Sequence, residues 1–245
     1  MFTRFLPKNL QQYAVESLRF FRYKSGRRFF SETGEDMVLS SLLDGDRGKY
    51  VDVGCHHPII NNSSYFLYKR GWQGYGIDPN KNFSTAWDLI RPRDKFLPLA
   101  AGEVEGTIDI CFYENSFRST GSSELRQHYK SKGRVGLISN IGVIPMKNVL
   151  PRALSAREPF VVFIDVEGME MSVLKGCDFA HQRPRAIVIE SYTKPWENTC
   201  PITNYLKDKK YQLVAYTGLS GIYFANEWVD EKFRDRNDLS DALYG

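Results

Sequence analysis

The chain has 245 residues, 42% of them apolar and 25% charged, with a formal net charge of +4. That length gives a domain with a sizeable core, the composition is that of a soluble globular protein, and the mild charge makes no case for nucleic acid. No apolar run approaches the roughly 18 residues of a membrane-spanning helix and no signal-peptide core follows Met1. Cys55, Cys111, Cys177 and Cys200 lie too far apart for a disulfide frame or zinc site, so reduced thiols in a cytoplasm are expected.

Residues 1–30 carry Arg4, Lys8, Arg19, Arg22, Lys24, Arg27 and Arg28 against Glu16 alone. Residues 9–24 read as an amphipathic helix. This basic extension can touch anionic lipid or a phosphate-bearing substrate, or simply flank the domain as a solvated helix. A helix then runs from Glu35 to Leu43, with Ser31 or Thr33 as its cap and Asp44-Gly45-Asp46 as its stop. Tyr50, Val51 and Val53 form a strand that ends at Gly54; a helix follows over Tyr65–Lys69, and Gly74–Ile77 is a strand ending on Asp78-Pro79. Such a βαβ unit is a nucleotide cradle, unless it binds nothing. Cys55, His56, His57 and Pro58 follow the one glycine, so the three-glycine dinucleotide fingerprint is missing. A crowded turn suits a ligand without pyrophosphate, of which S-adenosylmethionine (SAM) is the common one.

Residues 81–92 read as a helix, Lys95–Ala101 as a third strand and Ile108–Tyr113 as a further one. The Ser-, Gly- and Lys/Arg-rich stretch 114–140 shows no strong period and reads as a mobile loop or lid. A short strand over Val143–Met146 and a helix over Lys147–Ala156 come next. Phe160–Asp165 is the clearest buried strand; Val166-Glu167-Gly168 turns into a helix over Glu170–Lys175. Ala186–Glu190 is another buried strand, 202–209 a helix, and 211–216 with 221–225 a closing antiparallel pair. Residues 227–245 form a polar tail, leaving 31–226 as the folded domain. Alternation of this kind predicts an α/β fold with a parallel sheet covered on both faces. The strand carboxyl ends, with Asp52, Gly54, Asp78, Asp165, Glu167 and Glu190, form its binding edge.

Several blocks, in order, resemble the FkbM-like SAM-dependent methyltransferases: E-T-G-E-D at 32–36, V-D-V-G-x-H-x-P at 51–58, G-W-x-G-x-x-I-D-P at 71–79, F-I-D-V-E-G-x-E at 163–170 with V-L-K-G at 173–176, and R-P-x-x-I-V-I-E at 183–190. The resemblance covers about Ser31 to Asn226. It implies a class I, Rossmann-like methyltransferase sheet with a terminal antiparallel hairpin. It also implies SAM as cofactor and methyl transfer to oxygen on a sugar, glycan or related metabolite. Carried over by block, Asp52 and Gly54 shape the SAM turn and Asp78 holds the ribose; Cys55 and His56 on that turn and Pro79 after Asp78 are further candidates for contact with SAM. From the residues themselves, Ala100 and Ala101 either leave room for adenine or are ordinary core alanines, and Glu35 either reaches the methionine amine or is a plain helix N-terminal acid. The chain departs from the family pattern at Cys55, where a small residue such as Ala is usual, and in its basic extension. For the proton of an acceptor hydroxyl, Asp165 is the first choice, Glu167 the second and His57 the third. Glu170 reads as a solvated helix face. The carboxylates do not require a metal, and none is expected. Competing readings are an RNA or protein methyltransferase, prompted by the Arg and Lys residues of 118–134, and a non-catalytic SAM- or nucleotide-binding module. Against the RNA reading, no stripe of basic and aromatic residues is present.

Overall fold

The computed structural model describes residues 29–43, 47–113, 119–153 and 159–229. The amphipathic helix over 9–24, the 44–46 stop and nearly all of the polar tail fall outside them. The main sheet has seven strands in the order β10-β11-β9-β8-β1-β2-β3. These are β1 (Lys49–Val53), β2 (Gln73–Ile77), β3 (Lys95–Leu97), β8 (Phe160–Ile164), β9 (Ala186–Glu190), β10 (Tyr211–Tyr216) and β11 (Ser220–Ala225). From β3 to β9 all pairings are parallel; β11 is antiparallel to both β9 and β10. All five residues of β8 are buried, as a strand covered on both faces requires.

The sheet buries two apolar layers. On one side Val51, Val53, Val162, Ile164 and Ile187 pack with Val173, Leu174, Ile202 and Leu206. These last belong to α6 (Glu170–Lys175) and α7 (Pro201–Asp208). On the other, Tyr50, Val161, Phe163 and Val188 meet Leu39, Phe66 and Leu67; these come from α1 (Glu35–Leu42) and α2 (Tyr65–Lys69). Successive strand residues point to opposite faces, which is why 161 and 163 belong to one layer and 162 and 164 to the other.

Four local readings are corrected. Neither Ser31 nor Thr33 caps α1: the N-cap is Gly34 at φ +93°, while Ser31 Oγ donates to Asp36 Oδ1 (2.7 Å) and accepts from the Gly34 N–H. The strand expected over 95–101 is two strands. Pro98, which has no N–H to give a ladder, separates β3 from β4 (Ala100–Gly102), which joins a different sheet. The stretch read as a loop or lid without regular structure holds elements where described: β6 (Ser119–Thr120), α4 (Ser123–Ser131) and most of β7 (Gly136–Pro145). With β5 (Gly106–Tyr113) these make a second sheet, in the order β4-β7-β5-β6. The expected short strand over 143–146 is the end of β7, and the helix after it, α5 (Met146–Ala153), starts one residue early on the fully buried Met146. Between β2 and β3, a 3-10 turn (Lys81–Phe83) leads into α3 (Ser84–Ile90). Inserted between β3 and β8, the second sheet faces the carboxyl ends of the main-sheet strands.

Candidate active site

The strand register builds the site. Val53 is paired with Ile77 on one side and Ile164 on the other, and Ile164 with Ile189. The next residues out therefore stand in one row across β2, β1, β8 and β9: Asp78, Gly54, Asp165, Glu190. Adjacent members are about 4.8 Å apart, the strand spacing. Here the chain direction of successive crossovers reverses, the place where open α/β sheets bind ligands.

Gly54 has φ +78°, and a side chain on it would overlap the Asp165 carbonyl oxygen, so both the turn and the close approach demand glycine. Beneath the turn, Asp52 is buried and accepts from Asn62 Nδ2 (3.0 Å) and Ser64 Oγ (2.6 Å). Burial still pushes its pKa up, against the pull of Ser64, Arg91 and Asn62. The wholly buried Arg91 side chain ties the assembly together, donating to the Pro58 carbonyl (2.8 Å), to Ser64 Oγ (2.9 Å) and to Asn62 Oδ1. Asp52 thus fixes the turn from below. Cys55 is buried behind the same turn.

Asp78 is buried, and its two oxygens accept the backbone N–H groups of His56 (2.9 Å) and Asn80 (2.8 Å). Burial outweighs these bonds and pushes its pKa to about 6. His56, at φ +46°, lays its ring 4.1 Å from that of Phe83. A cavity of about 1020 Å³ opens over the row; Gly54, His56, Asp78, Pro79, Phe83, Ala100 and Ala101 line one end. A glycine turn that no side chain can fill, a carboxylate with lone pairs left over, and small residues at the β4 strand fit a nucleoside with a short, pyrophosphate-free chain. Glu35 does not line this cavity. Its buried carboxylate, held by Thr33 Oγ1 (2.5 Å), borders an adjoining recess of about 40 Å³ that also touches Gly54, Asp165 and Glu190.

Asp165 and Glu190 form the floor. Protein packs around Asp165, yet its side chain stays open to the cavity. The loss of surrounding bulk water, then the carboxylates of Glu190, Glu167 and Glu170, push its pKa well above the usual carboxylate range. Glu190 is pushed to about 7, by burial first and then by Glu167 and Glu170. The two groups end paired strands, line one cavity and titrate as a pair. Among the described residues, Oε2 of Glu190 is buried without a hydrogen-bond partner.

Glu167 also borders the cavity, at φ +51°. Its Oε2 accepts from the phenols of Tyr192 (3.0 Å) and Tyr129 (3.3 Å), and its carbonyl from Thr120 Oγ1 (2.7 Å). Glu170 is buried, not solvated. Its Oε1 accepts from the N–H groups of Val166 (3.2 Å) and Gly168 (3.0 Å), pinning the turn that carries Glu167. His57 is buried away from the cavity; its Nδ1 accepts the N–H groups of Ile59 (3.1 Å) and Ile60 (3.0 Å). That position removes it from the candidate bases. Among the described residues no group of three or more His, Cys, Asp or Glu side chains is arranged to hold a metal ion. Sequence reasoning missed Arg91 and the cavity aromatics Phe83 and Tyr192. It also missed the β5 wall of Ile108, Ile110 and Phe112. The alternation of β5 was the one signal present for that wall.

A parallel sheet with this strand order, an antiparallel last pair, a glycine turn after its central strand and an acid ending the next define a class I SAM-dependent methyltransferase. The model of the methyltransferase FkbM domain matches residues 52–213, and the chain belongs to that family, with SAM as its cofactor. No curated protein matches the chain. Among solved structures, a TehB-like SAM-dependent methyltransferase from Corynebacterium glutamicum is similar at 9% identity and TM-score 0.43, covering 87% of this chain and 97% of its own. The 1,6-didemethyltoxoflavin-N1-methyltransferase of Burkholderia thailandensis, with S-adenosylhomocysteine bound, is similar at 11% identity and TM-score 0.40, covering 89% of each chain. An O-methyltransferase from Bacillus cereus is similar at 11% identity and TM-score 0.35, covering 90% of this chain and 91% of its own.

Proposed function

We propose that this methyltransferase acts on oxygen, at a hydroxyl of a sugar, glycan or related small metabolite. The observation that carries the reading is the Asp165–Glu190 pair on the cavity floor: two carboxyl groups that end neighbouring strands, both lining the cavity and both with raised pKa values. When bound, SAM supplies an electrophilic methyl on a sulfonium, and an alcohol oxygen attacking it must shed a proton. The pair takes that proton, as general bases with pKa values near the working pH do. Asp78 accepts from the ribose hydroxyls, with Pro79 and His56 bounding that end. Ala100 and Ala101 leave room for the adenine, and Glu35 receives the methionine ammonium from the recess beside Gly54. Glu167, engaged by two phenols, positions the 166–168 turn and narrows the floor.

An acidic floor opposes nucleic acid, which disfavours the RNA reading. In this reading residues 31–226 are the catalytic domain, working in the cytoplasm with its four thiols free. The basic segment 1–30 is a contact for an anionic surface. No helix among the described residues is long and apolar enough to cross a membrane.

The test is Asp165→Asn, assayed for SAM binding by calorimetry and for S-adenosylhomocysteine release with a competent alcohol. Affinity within a few-fold of the parent and turnover lowered about 100- to 10,000-fold are expected. Undiminished turnover would make Asp165 structural.

A further inference from the structure

We propose that the second sheet is the acceptor-reading wall of this cavity. The acceptor is then an uncharged alcohol or glycoside with an apolar body, and phosphorylated or nucleotide-activated compounds are excluded. The inference rests on the methyl-transfer reading above and adds what kind of molecule bears the hydroxyl.

Three observations carry it. The first is room. Pockets for one drug-sized ligand run to about 300–1,000 Å³, and this cavity, about 1020 Å³, holds a second molecule beside the cofactor. The second is the apolar lining that β5 supplies. Ile108, Ile110 and Phe112 line the cavity together with Tyr113, which also packs with Cys111 and Tyr129 of α4. Val135 continues the apolar surface to the mouth and is 85% exposed. An apolar face that lines a cavity continuous with a cofactor site marks a ligand surface. A bare sugar pressed on it would bury hydroxyls against Ile and Phe without partners, which is costly; an alkyl, aryl or ring body would not. The third is charge. Among the described residues, Glu103 and Glu105 at the end of the sheet and Asp165, Glu167 and Glu190 on the floor line the cavity with one Lys or Arg, Arg134, whose guanidinium sits 5.3 Å from the Tyr129 ring. A phosphate entering that field meets like charge on most sides.

Three probes sharing one sugar head test this by calorimetry on protein saturated with S-adenosylhomocysteine. They are octyl β-D-glucopyranoside below its micelle-forming concentration, methyl β-D-glucopyranoside and UDP-glucose. The octyl glucoside is expected to bind at least about tenfold more tightly than the methyl glucoside, and UDP-glucose more weakly than either. Val135→Asp and Ile108→Asp should each weaken the octyl glucoside about tenfold without changing S-adenosylhomocysteine affinity. Val135, being exposed, gives a variant that folds even where Ile108→Asp does not. The proposal is overturned by equal affinity for the two glucosides, by tighter binding of UDP-glucose, by no octyl glucoside binding, or by undiminished binding in Val135→Asp. If the protein takes up no S-adenosylhomocysteine, the methyl-transfer reading fails instead. The same titrations on the cofactor-free protein then decide the wall alone.

Discussion

Asp78 illustrates how a single carboxylate is prepared for a ligand. It is buried and spends one lone pair of each oxygen on a backbone N–H, yet its pKa stays near 6 because burial costs more than those bonds return. Ribose hydroxyls can only be accepted well by the ionised form. SAM affinity should therefore fall as pH drops through about 6, by up to about tenfold per pH unit. Asp78→Ala should weaken SAM by about 1.5–3 kcal/mol, the value of a hydrogen bond to a charged group. Calorimetry across pH 5 to 8 checks both, and a flat parent profile with unaltered Asp78→Ala affinity would remove the ribose role. The Asp165–Glu190 pair makes a second pH statement. Only an ionised carboxylate can take a proton, so kcat should rise with pH as the pair titrates, through a midpoint near 7. The profile belongs to the pair, so Glu190→Gln should move the midpoint as well as lower the rate. A kcat that does not vary between about pH 6 and 8 would count against the pair as the base.

Among the elements, the turn after β1 is held by a residue far along the chain. Arg91, which follows α3, reaches back to Pro58, Asn62 and Ser64, lies 4.3 Å over the Trp87 ring and faces Asp94 at 3.7 Å. Removing one partner of such a buried network costs about 3–5 kcal/mol. Urea unfolding of Arg91→Met should show a loss of that order and a weakened SAM site. Arg91→Lys should recover only part, because an ammonium lacks the planar five-donor fork; full recovery would reduce Arg91 to a counter-charge. The sequence reading named the elements around Arg91 and not its role. The parallel main sheet was legible because β1, β8 and β9 are short apolar runs ending on Gly, Asp and Glu. The carboxylate row followed from it, since residues after the last paired position of parallel strands must line up. The second sheet was not legible. The first part of β7, Leu137 to Asn140, is exposed on both faces, so no alternation marks it as a strand, and Ser and Gly made it resemble a loop. Glu170 was misread for a related reason: an acid in the first turn of a helix looks solvated until the preceding turn is known to fold back onto it.

For the molecule as a whole, the site is a concentration of buried acids, and this sets how stability depends on pH. Burial raises the pKa of Asp52, Asp94 and Glu170, raises Asp78 to about 6 and Glu190 to about 7. An acid whose folded pKa lies above its unfolded value binds more protons in the native state throughout the interval between the two. Stability then falls as pH rises through that interval and is regained on acidification. For Asp78 alone the shift from an ordinary carboxylate corresponds to a cost on the order of 3 kcal/mol above pH 6. The opposite shifts, in Asp178 and Glu227, sit in exposed pairs with His181 and Arg183, and exposed pairs contribute little. The cofactor-free protein should therefore unfold at higher urea at pH 5.5 than at pH 7.5, unlike proteins whose acids are mostly stabilised in the fold. SAM carries a positive sulfonium and ribose donors to these same groups, favouring their ionised forms, so its stabilisation should be larger at pH 7.5 and narrow the gap. Asp78→Asn should remove part of the pH dependence without cofactor. Urea titrations of the free and SAM-bound protein at the two pH values decide the matter: greater stability of the free protein at pH 7.5, or an equal shift by SAM at both, would mean that the buried acids are already compensated within the fold.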